Sequence, residues 1–476
     1  MKMARIEHDF LGDKEIPLDA YYGVQASRAR ENFPITGIKP HPELYRAMAI
    51  VKKAAALSNN EVGLLPDDKC KAIVAAAEEL MELKYYDDHF IVDSIQGGAG
   101  TSINMNVNEI IANRAIEILG GTKGDYKLIS PNSHVNMAQS TNDSFPTGIH
   151  ISAITLAKRL DVVIGELIDA LYKKGEEFDG VIKMGRTHLQ DAVPVRLGQE
   201  FRAWAHVLER DRTRLNQSME FLYEVNMGAT AVGTGLNALP EYIEKVVKHL
   251  CEITGYELKS AEDLIDGTQN TDAYTSVSGA LKILAVNISK ICNDLRMMAS
   301  GPRCGLGELH LPARQPGSSI MPGKVNPVMA EVVNQTAFQV IGNDLTIALA
   351  SEAGQFELNV MEPVMAFNLL QSLDIMGNAL TVFRTHLIEG VTANVERCRN
   401  YVENSVGVIT AINPHVGYET AAATAKEAIL SGRPVREIIL ERGVLTEAEL
   451  NEILDPMEMT QPGIAAAHLI FEKKNK

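Results

Sequence analysis

Cysteine is scarce in this chain of 476 residues and poorly placed for crosslinking. The five cysteines, Cys70, Cys251, Cys292, Cys304 and Cys398, are odd in number, scattered, and never form a CxxC pair. That argues against a disulfide framework or a zinc ribbon and fits reduced thiols filling the core of a cytoplasmic protein. Long apolar runs are missing too: no window of 18 uncharged apolar residues exists, so no segment reads as a membrane-spanning helix. The opening MKMARIEHDFLG is broken by Lys2, Arg5, Glu7, His8 and Asp9 and lacks the apolar stretch of a signal peptide. Positive charge is the minority sign, with 45 Lys and Arg against 61 Asp and Glu for a formal net charge of −16. An acidic balance without a basic run repels phosphate backbones and anionic lipids, so neither nucleic acid nor membrane is expected as a partner. Gly233-Thr234-Gly235 and Gly305-Leu306-Gly307 follow no β-rich run, and no Walker-type loop appears, which removes the scaffold for a dinucleotide or nucleotide cradle. The 12 histidines show no HxxxH spacing, so no metal site is expected.

What is present is a chain with 46% hydrophobic residues, ample for a large core and for two or three domains. Three stretches differ in character. Residues 1–142 are mixed and carry short polar, Gly-rich segments; residues 143–397 read as long amphipathic helices; residues 398–476 return to short helices and turns, closing on a charged, solvated tail from Glu472. In the middle stretch Val277, Leu281, Leu284, Ile288, Ile291, Leu295 and Met298 form a seam repeating every seven residues. From Asp272 to Ser300 such a helix would reach roughly 40 Å before Gly301-Pro302 stops it. Phe201, Ala205, Leu208, Leu215, Met219 and Leu222 make a second seam, and Ile149, Ala153, Leu156, Leu160, Val163, Leu167 and Leu171 a third. Segments 328–352 and 364–392 supply further helices. The seams predict a mainly α protein with a long central bundle, completed within one chain or by further copies of it.

Chemistry-bearing residues gather in four clusters. Residues 301–327 join two of these helices and hold five prolines and several glycines, long enough for a functional lid. Within them Gly317-Ser318-Ser319-Ile320-Met321-Pro322-Gly323-Lys324-Val325-Asn326 combines two hydroxyls, an ammonium and an amide. A serine here could act as a base only if backbone N–H groups and a cation stabilised its oxyanion; a capped turn is the alternative. Gly97 to Asn106, with Thr101, and His134 to Asp143, with Ser140, Thr141 and Asn142, are dense in neutral donors. Such donors suit a small dianion on which extra charge develops, and equally suit helix caps and Asx turns. The fourth cluster, Lys183 to Pro194, holds Thr187 and His188, the best candidate for a group titrating near neutral pH.

Together these residues resemble the fumarase/aspartase superfamily. Its signature GSxxMxxKxN is met by Gly317, Ser318, Met321, Lys324 and Asn326, and the resemblance covers nearly the whole chain. RIEHDFLGDKEIPLDAYYGVQ, GGAGTS at 97–102, QSTND at 139–143 and GRTHLQDAVP at 185–194 are similar to the aspartase branch. One departure is Ala26-Ser27-Arg28, where that branch more often has Thr-Leu-Arg. The resemblance implies a three-domain fold and a homotetramer with a twenty-helix core, each active site assembled from three chains. It implies a carbon–nitrogen lyase that converts L-aspartate reversibly to fumarate and ammonia through an enediolate, without an organic cofactor; activation by a divalent metal is left open. It also implies roles. Ser318 would be the base, helped by Lys324. Thr101, Ser140, Thr141 and Ser319 would surround the β-carboxylate; Lys324, Asn326 and Thr187 the α-carboxylate; Thr101, Asn142 and His188 the amine. Glu331, on the first turn of the next helix, resembles the partner of the active-site histidine. The rivals are a class II fumarate hydratase, a lyase acting on a larger succinyl conjugate, and a non-catalytic scaffold.

Overall fold

The computed structural model describes residues 4–474; Met1–Met3 of the opening segment and Asn475–Lys476 of the expected tail lie outside the described residues. Helices dominate, and strands occur among the described residues as four short two-stranded pairs. Five long helices carry the core: Thr141–Glu177, Leu197–Met219, Asp272–Met298, Val328–Glu352 and Glu362–His386. Every residue of the Val277–Met298 and Phe201–Leu222 seams is buried. Each fully buried Leu or Ile is worth roughly 1.5–3 kcal/mol, so the stripe and not intrinsic propensity holds helices of this length. In the third seam Val163 is only half-buried and Ile164 takes its place in the core. A strict seven-residue step drifts around a helix of 3.6 residues per turn, and over the 37 residues of Thr141–Glu177 the drift moves the stripe by one position.

The helix ends follow the expected punctuation at Asp272 and across 328–352, but not at 392. The last long helix stops at His386, a 3-10 turn follows at Ile388–Gly390, and Thr392–Ala393 pairs antiparallel with Leu309–His310. Gly390 sits so close to Pro312 that a Cβ there would meet the proline ring at 2.8 Å. The apolar pattern continues through buried Ile388 and Val391 because that corner packs tightly, not because the helix continues. By the same pairing, residues 301–327 are not wholly loop.

The chain forms two compact units, one from residues 1–162, 211–286 and 336–378, the other from 163–210, 287–335 and 379–476. The polypeptide passes from one to the other only inside the five long helices. In the first unit the helices Pro42–Glu61, Asp67–Met81 and Thr101–Ile118 pack together. In the second, a hairpin of Ile182–Thr187 and Gln190–Arg196 buries Ile182 and Met184 in one core with Val402, Ile412, Val435 and Ile438 of the C-terminal short helices.

Candidate active site

The first unit carries Thr101, Ser140, Thr141 and Asn142 at helix N-termini, where the helix dipole favours an anion. Thr101 opens the Thr101–Ile118 helix after Gly100, whose φ is +89°. Only glycine fits there: a Cβ at position 100 would stand 2.3 Å from the Phe145 ring. The exposed Thr101 shares a cavity of about 660 Å³ with Ser102, Gln25, Arg28 and Asn132.

Ser140 caps the Thr141–Glu177 helix. Its Oγ accepts the N–H of Asn142 at 3.2 Å, and Asp143 Oδ1 accepts the N–H of Ser140 at 2.9 Å, a reciprocal pair that ties off the first turn. Thr141 Oγ1 accepts from Asn104 Nδ2 at 3.1 Å, and Asn142 Nδ2 donates to the Ala231 carbonyl at 2.7 Å. Beneath them Lys52, fully buried, donates to Asn136 Oδ1 at 3.1 Å and Gln139 Oε1 at 2.8 Å. Burial pushes the Lys52 ammonium down to about 7, against the pull of Asp143. Burial likewise pushes the Asp143 carboxyl up to about 6, although three backbone N–H groups and Lys52 favour its ionised form. Asn136 also accepts from Asn104 and Asn108, so one buried polar network underlies the whole cluster.

The second unit carries Thr187, His188, Ser318, Ser319, Lys324, Asn326 and Glu331. The 317–326 loop is tied by two bonds: the N–H of Gly317 donates to the Lys324 carbonyl at 2.7 Å, and Asn326 Nδ2 donates to the Gly317 carbonyl at 2.8 Å. Gly317 is required for this closure, since a Cβ would meet the Lys324 carbonyl oxygen at 2.7 Å and the Asn326 nitrogen at 2.9 Å. Inside the closure Ser318 Oγ accepts two backbone N–H groups, from Ile320 at 3.2 Å and Met321 at 3.0 Å. Those are the donors a serine oxyanion needs. Ser319 and Lys324 are exposed, and among the described residues the Lys324 ammonium makes no hydrogen bond or ion pair.

His188 and Leu189 form the two-residue turn of the 182–196 hairpin, with Thr187 opposite Gln190. Both adopt positive φ, +54° and +59°, where such turns usually place Asn and Gly. A bulky residue held there costs energy and persists only where its surroundings fix it, a signature common at functional sites. Ion pairs anchor the strand behind: Glu308, fully buried, meets Arg186 at 2.7 Å and Lys183 at 3.2 Å, and Lys183 also meets Glu200 at 3.1 Å. At the other strand, Ser405 Oγ donates to Asp191 at 2.8 Å. Glu331 lies on the first turn of Val328–Glu352, and no hydrogen bond or ion pair joins it to His188 among the described residues.

Residue spacing does not reveal the buried charges of Lys52 and Asp143 or the strained turn at His188. A lysine within the apolar run of Pro42–Glu61 and a His-Leu pair between β-prone segments were the available signals. Among the described residues no group of three or more His, Cys, Asp or Glu side chains could hold a metal ion.

The first unit thus presents hydroxyls and amides at helix ends, and the second a serine cradled by backbone donors beside an exposed lysine. Two family models match the chain: one for lyases over residues 12–342, and one for the fumarase C C-terminus over residues 408–461. The chain therefore belongs to the fumarase/aspartase family of lyases. It is 64% identical over 97% of its length to an aspartate ammonia-lyase of a Bacillus species, covering 98% of that protein. It is 50% identical over 99% of its length to the aspartate ammonia-lyase of Escherichia coli K12, covering 99% of that protein. Among solved structures, a Brucella melitensis fumarate lyase:delta crystallin bound to cobalt superposes with a TM-score of 0.94 at 48% identity, over 97% of this chain and 100% of that one. A class II fumarase from Schistosoma mansoni superposes with a TM-score of 0.91 at 34% identity, over 97% of this chain and 100% of that one.

Proposed function

We propose that the chain is an aspartate ammonia-lyase, converting L-aspartate reversibly to fumarate and ammonia. The observation that carries the reading is Ser318 Oγ accepting the N–H groups of Ile320 and Met321. A serine hydroxyl is far too weak an acid to work as a base unaided, and these donors lower the cost of its oxyanion. Ser318 removes a proton from the carbon next to the β-carboxylate. The electron pair spreads into that carboxylate as an enediolate, and Thr101, Ser140, Thr141 and Ser319 stabilise the added charge. Collapse of the enediolate forms the carbon–carbon double bond and breaks the carbon–nitrogen bond. The nitrogen leaves as ammonia past Thr101, Asn142 and His188, while Lys324, Asn326 and Thr187 hold the α-carboxylate. No organic cofactor is required.

The same reading takes the enzyme to be a cytoplasmic homotetramer in which each active site gathers residues from three copies of the chain. Free cysteines suit the compartment. Phe338, Leu345 and Leu349, each more than 60% exposed along the Val328–Glu352 helix, suit burial against partner helices. Glu331 would then orient His188 of a neighbouring copy.

Fumarate hydration is the second reading, favoured by the likeness to the Schistosoma class II fumarase. Fumarate absorbance after separate addition of L-aspartate and L-malate to purified protein decides between them. Signal from aspartate alone is expected; signal from malate alone would make the protein a hydratase, and none from either would remove both readings.

A further inference from the structure

The ammonia-lyase reading gives no chemical step to Asp143, yet the contacts of this carboxylate lead to a substrate-facing group. Asp143 is fully buried. Its Oδ1 closes the helix end at Ser140, while Oδ2 reaches across the sequence to accept the N–H of Gly228 at 3.1 Å and of Thr230 at 3.0 Å. Thr230 holds φ at +58°, a conformation that β-branched residues adopt only under constraint. Its buried hydroxyl has no hydrogen-bond partner among the described residues, so the strain is not repaid there. What the strained turn delivers is the next carbonyl: Ala231 accepts Asn142 Nδ2 at 2.7 Å. From the same loop, Asn226 Nδ2 donates to the main-chain carbonyl of Asn142 at 2.9 Å.

A carbonyl can only accept, so the NH₂ end of the Asn142 side chain is committed and Oδ1 is the end left for a ligand. We propose that Asp143 is a positioning residue which, by clamping residues 226–231, fixes the Asn142 carboxamide with its oxygen toward the substrate's amino group. In that orientation Asn142 accepts from an ammonium. Flipped, it would present its own N–H groups to a cation and repel it. The clamp therefore acts on recognition of the amine, not of the two carboxylates. This rests on the ammonia-lyase reading.

The test compares ligands with and without the amine on the full-length protein. In Asp143→Asn, KM for L-aspartate, and for ammonia in the reverse direction, is expected to rise about tenfold, the scale of one hydrogen bond to a charged group, while inhibition by succinate stays within about twofold. Asn226→Ala leaves the Ser140–Asp143 pair intact and removes the donor to Asn142; it is expected to give the same pattern at about threefold. Equal weakening of amine-bearing and amine-free ligands, or no change, in whichever variant folds would overturn the proposal. A wild-type protein that forms no fumarate from L-aspartate would instead overturn the reading beneath it.

Discussion

The two sets of site residues are built on opposite plans. Around Ser140–Asn142 the backbone and side chains are committed to partners inside the fold: a reciprocal cap, the Asn104 amide, the Ala231 carbonyl and a buried lysine below. Around Ser318 the loop is largely exposed, and its own residues supply its closing bonds. A rigid cluster can hold a carboxylate in one place without reorganising as charge grows on it. A loop tied only to itself can move as a unit, carrying its serine with the oxyanion donors already in place. On the proposed reading, the cap that would help hold the β-carboxylate and the loop that would carry the proton acceptor differ in stiffness.

The largest expected effect falls on the loop. Ser318→Ala should lower kcat by roughly 10³-fold, the scale of a positioned general base, and leave succinate inhibition and thermal stability nearly unchanged. Steady-state kinetics and a melting curve check both. Retained turnover would take the base role from Ser318 and remove the contrast.

Glycine-to-alanine changes sharpen the comparison, because one substitution should break different properties in the two places. In Gly317→Ala the new methyl collides with the Lys324 carbonyl and the Asn326 nitrogen, so the loop must open. Activity is expected to fall about 10²-fold, as for a misplaced catalytic group, with little change in Tm. In Gly100→Ala the methyl meets the buried Phe145 ring at a backbone φ of +89°. Overpacking and backbone strain there should cost roughly 2–4 kcal/mol of stability, seen as a lower Tm. Equal effects of the two changes on Tm would mean that the loop is as embedded as the helix cap.

Sequence made the exposed plan more legible than the buried one. Ser318, Lys324 and Asn326 lie within nine consecutive residues, and the bonds that shape their loop reach only one residue further, to Gly317, so the motif contains its own geometry. Helix seams were equally readable, because burial every three or four residues is a local pattern. In the sequence Asp143 is only the end of a polar run, since its meaning depends on Gly228 and Thr230 far along the chain. The turn at His188 and Leu189 escaped for a different reason: neither residue type announces a positive φ, and only the two-residue hairpin register imposes it. The overshoot to residue 392 shares that cause, with Pro312 against Gly390 setting a corner no local pattern contains.

The buried plan also predicts a pH signature. Between about pH 7 and the ordinary lysine range near 10.4, the unfolded chain holds a proton that folded Lys52 has shed, so this lysine makes stability rise with pH. Asp143 acts in the opposite sense lower down: between about 3.9 and about 6 the folded carboxyl holds a proton that the unfolded one has lost, and its contribution falls as pH rises. Lys52→Met should abolish the upper slope, at most about 1.4 kcal/mol per pH unit, in denaturation curves taken from pH 7 to 10. It should also lower stability at pH 7 by leaving Gln139 Oε1 without its donor and taking one of three donors from Asn136 Oδ1. An unchanged upper slope would mean that Lys52 stays charged when buried.

The smallest effect is the most direct measure of stiffness. Amide hydrogen exchange followed with and without succinate should show protection gained at residues 317–326 and little change at Ser140–Asn142. The latter already spend their N–H groups inside the fold: the N–H of Ser140 goes to Asp143 and that of Asn142 to Ser140 Oγ. Ligand can slow an amide only if that amide opens without it, and an N–H locked in a half-buried reciprocal cap has little opening left to lose. The N–H groups of Ile320 and Met321 bond an exposed loop's own serine, and opening the loop frees both at once. Protection appearing equally in both places would show that the cap breathes as the loop does; protection in neither would show a loop closed before ligand arrives, with its serine held permanently in the reactive arrangement.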